Sequence, residues 1–190
     1  IYTLLAFDCR SYDIPAADKN VEHTSREGLV KYILDKQLKD GGWAYSGDKA
    51  EPDMTAMALQ ALAAYYKTDA KVKEAADKAV TCLSKLQNTT GGYDSYGSVN
   101  SESAAQVITA LTALGIDPDN DARFVKNGVS VLDSLCGFYV DGGFRHVFCG
   151  KLDATATAQG YYALAAYYRF AAGKTALYDM TDLDAIEKAA

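Results

Sequence analysis

A Gly-Gly-aromatic triplet occurs three times, as Gly41-Gly42-Trp43, Gly91-Gly92-Tyr93 and Gly142-Gly143-Phe144, at intervals of 50 and 51 residues. A fixed period of this length marks one supersecondary unit used repeatedly. Such a unit cannot bury its apolar face alone, so copies stack and share a continuous core. After each triplet an acidic residue opens a run of small residues: Asp53-Met54-Thr55-Ala56, Glu102-Ser103-Ala104-Ala105 and Asp153-Ala154-Thr155-Ala156. Before each triplet lies a run of a different kind.

The preceding runs are amphipathic. Val72, Ala75, Ala76, Ala79, Val80, Leu83 and Leu86 recur three or four apart, with Lys71, Lys73, Glu74, Asp77, Lys78 and Lys85 between them. That spacing predicts a helix with one buried stripe and one wet face. Leu29, Val30, Ile33, Leu34 and Leu38 repeat the pattern earlier, and Val125, Val129, Leu132 and Leu135 repeat it later. The following runs are apolar nearly all round; from Asp53 to Tyr66 the interior polar residues are Thr55 and Gln60. A helix of that composition is covered on most sides, and its alanines let helix axes approach closely. Each repeat therefore reads as one wet outer helix and one dry inner helix. The repeats span about residues 20–67, 71–114 and 121–172 of a single domain, 1–190.

Of the residues, 49% are apolar and 23% charged, a globular balance. The net charge of −6 gives no basic footprint for nucleic acid. No apolar run reaches the length of a membrane span. The chain opens on Ile1-Tyr2-Thr3-Leu4-Leu5-Ala6, which reads as mid-helix and suggests that a preceding part completes the fold. Cys9, Cys82, Cys136 and Cys149 form no Cys-x-x-Cys pair, and His23 and His146 make no ligand spacing with them. No metal site and no cofactor is expected. Cys136 and Cys149 flank one loop, and their redox state is left open.

Three segments carry a resemblance. Gly28, Tyr32, Ile33, Gln37, Gly41 and Trp43 are similar to the QW repeat of squalene cyclases, with Glu27 at the usual basic place. Lys78, Ala79, Leu83, Gln87, Gly91 and Tyr93 are similar again, with Cys82 for the aromatic. The third copy is worn: Leu132 fits, Cys136 stands at the Gln place and two extra residues precede Gly142. The chain thus resembles the squalene-cyclase and protein-prenyltransferase-β family over about residues 20 to 172. That resemblance implies an all-α fold, an α/α toroid, of which about seven helices are present here as a partial ring. It also implies that the absent N-terminal part of the toroid, or a second chain, covers the open edge. The stretch Tyr167-Tyr168-Arg169-Phe170 to Leu177-Tyr178-Asp179-Met180 resembles members found in bacterial surface proteins, which implies an extracellular or cell-surface location.

Two kinds of chemistry follow from the resemblance. Glu51-Pro52-Asp53-Met54-Thr55-Ala56-Met57 is similar to the class II terpene cyclase signature, in which the residue at the place of Asp53 protonates an alkene and the carboxylate at the place of Glu51 tunes it. Met54 replaces a third carboxylate. Against this, an acid repeated in every copy, as Asp53, Glu102 and Asp153 are, reads as a helix N-terminal device, with Pro52 in the first turn. Asp153 also matches the aspartate of the zinc prenyltransferases, but Thr155 stands at their cysteine place and no histidine follows His146. One ligand of three does not hold a catalytic zinc. As a binding module the chain would use Trp43, Tyr66, Tyr93, Glu102, Phe144 and Asp153. Packing between helices is the plainer role for the aromatics. The expectation is a non-catalytic module that binds a ligand or a protein, with a hydrophobic or corrinoid small molecule as the ligand. A class II cyclase and a structural spacer are the alternatives.

Overall fold

A computed structural model describes residues 1–15 and 24–182. The expected start of the first repeat at residue 20, and His23, lie outside the described residues. Seven α-helices are present among them: α1 (Tyr2–Asp8), α2 (Arg26–Asp35), α3 (Pro52–Leu62), α4 (Ala70–Leu86), α5 (Ser101–Ala113), α6 (Val131–Cys136) and α7 (Ala154–Ala171). Helices α1, α3, α5 and α7 pack in chain order as one layer, while α2, α4 and α6 lie against α1, α3 and α5 as a second. The alternation follows from the sequence. Helix α4 buries Val72, Ala76, Ala79 and Leu83 completely and leaves its lysines in water. Helix α5 is covered over Ser101 to Thr112, except at Glu102. Burying one Val or Leu side chain is worth about 1.5–3 kcal/mol, so this shared layer carries the stability.

Local signals start the helices. Ser25, Asp69, Asn100 and Asp153 each accept a backbone N–H from the first turn of α2, α4, α5 and α7. Ser130 and Asp133 form a reciprocal capping box on α6. Pro52 opens α3, where its missing N–H costs nothing.

Three features differ from the sequence reading. First, the fold is not purely helical. Strands β1 (Asp94–Ser95) and β2 (Ser98–Val99) pair, as do β3 (Val125–Lys126) and β4 (Val129–Ser130), and β5 (Tyr139–Val140), β6 (Gly143–Arg145) and β7 (Leu152–Asp153) form a three-stranded sheet, all antiparallel. Tyr96-Gly97, Asn127-Gly128 and Asp141-Gly142 all have positive φ, the geometry of a two-residue hairpin turn. Second, the third outer helix is short. Asn127-Gly128 turns the chain there, so Val125 and Val129 lie in a hairpin and α6 alone remains. Third, the worn repeat is worn at its turn. Leu38 pairs with Gly42, and Asn88 with Gly92, across three residues, whereas Val140 pairs with Gly143 across two. Counted back from the turn, Tyr139 rather than Cys136 takes the Gln place.

The glutamines explain why the repeat carries them. Gln37 donates its amide to the carbonyls of Gly41 and of Ala75 in α4, and Gln87 donates to Gly91 and Phe124. Each one closes its own turn and ties it to the next outer element. The aromatics are core. Trp43 and Phe144 clasp the inner helix that follows, each exchanging two bonds with a threonine hydroxyl, Thr55 or Thr157. In the second repeat Ala104 stands at the threonine's helical position, so Tyr93 lacks that clasp; its carbonyl accepts the Asn100 N–H and its ring is held by packing.

Candidate functional site

The three acids are not equivalent. By position along the helix, Glu51, Asn100 and Asp153 are the N-caps, and Asp53, Glu102 and Thr155 follow two residues later. Only Asp153 of the three repeated acids is therefore a cap, with Oδ1 2.8 Å from the Ala156 nitrogen. Asp53 and Glu102 reach instead into the following repeat. Asp53 Oδ2 accepts the Ser95 hydroxyl at 2.7 Å, and Glu102 Oε2 lies 2.9 Å from His146 Nδ1. Ser95 and His146 each stand two residues after a repeat aromatic, so one rule places both links. Glu51 accepts the Tyr45 N–H at 3.1 Å and does not cap α3. Asp53 Oδ1 is buried without a partner.

Trp43, Tyr93 and Phe144 are buried, at 4%, 0% and 1% exposure, so their rings fill the core and do not wall a cavity. Tyr66 is placed otherwise. It lines a cavity of about 590 Å³ at the C-terminal ends of the inner helices, the end away from the acids. Seven residues of helix separate Asp53 from Gln60 on its rim, a rise of about 10 Å. Leu5, Gln60, Thr109, Ala166 and Phe170 wall it from α1, α3, α5 and α7, and residues 173–179 and 181 of the C-terminal strap cover it. A volume of this size falls within the range of about 300–1,000 Å³ found for small-molecule pockets. A second, more open groove of about 920 Å³ runs between α2 and α4 and is rimmed by Lys31, Asp35, Lys71 and Lys78.

From Gln60, on the cavity wall, a chain of side-chain hydrogen bonds runs between the inner helices. Gln60 donates to the main-chain and side-chain oxygens of Gln106, and Gln106 donates to Gln159 Oε1 and Tyr162 Oη. This ladder joins α3, α5 and α7 and fixes their rotation. Burial pushes the Tyr162 hydroxyl up well above its ordinary range, so it remains a neutral donor. The Tyr178 hydroxyl in the strap is raised for the same reason, and nearby Tyr2 adds to it. Sequence reasoning missed Gln106, Gln159 and the course of the strap; the signal was one glutamine isolated in each of the apolar helices α3, α5 and α7.

Arg169 holds the strap. Its guanidinium takes both Asp182 carboxylate oxygens at 2.7 and 2.8 Å and donates to Thr175 O and Oγ1. At the far end the Met180 N–H donates to the Cys9 carbonyl of the α1 C-cap. The strap thus runs from α7 to α1. The Arg169 bond holds the Asp182 carboxyl below its usual range of about 4. A lowered pKa stabilises above the unfolded value and is lost as pH falls through the folded one. Acidification below about pH 4 is therefore expected to loosen the strap. Arg169→Ala is expected to do so at every pH, seen as faster tryptic cleavage after Lys174 while the main unfolding transition persists.

No protein-family profile, curated protein or solved structure matches the chain. Among the described residues no cluster of three His, Cys, Asp or Glu side chains is placed to hold a metal, and no helix is long and apolar enough to cross a membrane.

Proposed function

We propose that the chain is a non-catalytic binding module of a larger surface-exposed protein, built on a squalene-cyclase-like repeat, with the strapped cavity as its ligand site. One observation carries the reading: each acid that could do chemistry already serves the scaffold. Asp53 and Glu102 tie neighbouring repeats together, and Asp153 caps α7. The cavity is lined by alanines, Leu5, Phe170, Tyr66 and Tyr178 together with the Gln60 amide, threonines and the charged Asp8, Lys67, Lys174 and Asp179, a wall suited to a molecule with an apolar body and several polar groups. A hydrophobic molecule or a corrinoid is the class to test first, by thermal shift of the full chain. A ligand present at a hundredfold its Kd adds about 2.7 kcal/mol.

The unpartnered Asp53 Oδ1 is the one feature that favours the cyclase alternative, because a general acid needs a free oxygen to carry its proton. Asp53 lines neither the strapped cavity nor the groove between α2 and α4. Asp53→Asn separates the two readings. The binding-module reading expects no polyprene turnover by either protein and a stability change within about 1 kcal/mol, since the amide oxygen still accepts from Ser95. Turnover by the parent that disappears in Asp53→Asn would establish the cyclase.

A further inference from the structure

The third repeat ends on an empty slot. A Cβ built on Gly41 lies 3.0 Å from the Lys78 carbonyl of α4, and one on Gly91 lies 2.6 Å from the Ser130 carbonyl at the start of α6. Each Gly-Gly turn is thus pressed against the next outer helix. A Cβ on Gly142 meets nothing within 4 Å. Helix α7 is bare on the matching side. Its fifth, eighth and twelfth residues, Ala158, Tyr161 and Ala165, are exposed, and Tyr168 extends the stripe. The residues at the first two of those positions in α3 and α5, Ala56, Leu59, Ala105 and Ile108, are completely buried. The positions are apolar in all three helices, and only in α7 are they uncovered. Tyr139 and Leu152 of the adjoining sheet add to the same apolar edge.

We infer that this edge is a docking groove for one amphipathic helix of the outer type, supplied by another polypeptide. The inference deepens the binding-module reading and rests on it, but it does not use the cavity. The two interfaces inside the chain define the occupant, because α4 on α3 and α6 on α5 already fill the slot that is empty beside α7. The helix carries small and aliphatic residues at three- and four-residue spacing, as Val72, Ala76, Val80 and Leu83 do in α4. Ala158 and Ala165 let its axis come close, and Tyr161 and Tyr168 flank it. No amide stands at the place of Gln37 and Gln87; the Gly142 carbonyl is taken by the Tyr161 hydroxyl of α7 itself, so no clamp reaches outward and packing alone holds this helix. An exchangeable partner fits that difference better than a covalently linked repeat does.

The probe is a labelled peptide of residues 69–87, the chain's own best outer helix, titrated into the full chain by fluorescence anisotropy. Saturable binding is expected, weakened at least about tenfold, or about 1.4 kcal/mol, by Ala165→Glu. Ala158→Arg is expected to act alike, and both variants, being at exposed sites, are expected to melt as the parent does. Absence of binding, or binding that neither variant weakens, overturns the proposal. So does a parent dimer that Ala165→Glu dissociates, because the occupant is then a second copy. Cavity ligands titrated into the same variants keep the two readings apart. Their failure counts against the binding module, whereas peptide failure beside intact ligand binding counts against the groove alone.

Discussion

Gly91→Ala is expected to lower stability by about 3–4 kcal/mol, and Gly142→Ala by only about 1 kcal/mol. Both glycines have positive φ, 77° and 84°, a region that costs a side-chain-bearing residue about 1–2 kcal/mol. The difference comes from what surrounds them. The new methyl at Gly91 falls 2.6 Å from the Ser130 carbonyl and 2.9 Å from the Val129 side chain. That carbonyl belongs to the residue that caps α6, so it cannot move without disturbing the capping box. Overpacking against such a wall adds about 1–3 kcal/mol. At Gly142 the methyl meets open space. For a chain of this size each kcal/mol shifts the melting temperature by about 2–4 °C, so the two variants are separable by calorimetry. Equal losses would mean that the third turn is covered as the others are, and the empty slot beside α7 would be lost with that result.

The period and the alternation of helix kinds were legible in the sequence because burial imposes them. An inner helix walled on several sides has few polar positions, and an outer helix must show its lysines to water. Seven helices follow, and they are present. The strands were not legible as sheet, because two-residue strands carry no alternation to read. Their turns were visible as Asn127-Gly128 and Asp141-Gly142, yet the hydrophobic period of Val125, Val129 and Leu132 spoke for a helix, and the positive-φ turn won locally. The acids were legible as a repeated feature but not in register. Asp153 aligns with Glu51, because helix starts set the register and the loops before them differ in length. Asp53 and Glu102 were read as helix-end devices, whereas they bond across repeats, a partner choice fixed by tertiary geometry. The strap segment was noticed by resemblance, but its path was not legible: Arg169 and Asp182, 13 residues apart, meet because Gly173, with φ 65°, turns the chain back.

Trp43→Ala is expected to cost about 4–5 kcal/mol, near the top of the range for emptying a buried aromatic site. Trp43 is the single tryptophan, fully enclosed, and its indole N–H donates to the Ile33 carbonyl at 2.7 Å. Its backbone is held at both ends by Thr55. Truncation removes a large packed ring that joins the end of α2 to the start of α3, and it takes from the Ile33 carbonyl one of its two donors, the Lys36 N–H remaining. Trp43→Phe keeps most of the volume and loses the bond, so about 1–2 kcal/mol is expected. The same residue decides whether the repeat aromatics pack or bind. A ring sealed in the core emits as a tryptophan shielded from water and is blind to iodide. Its emission does not change when a molecule fills the cavity, whose walls do not include Trp43. A ligand that shifts or quenches Trp43 in the folded chain, with the melting curve otherwise that of an intact fold, would place the ligand against the Gly-Gly-aromatic turns and not beneath the strap.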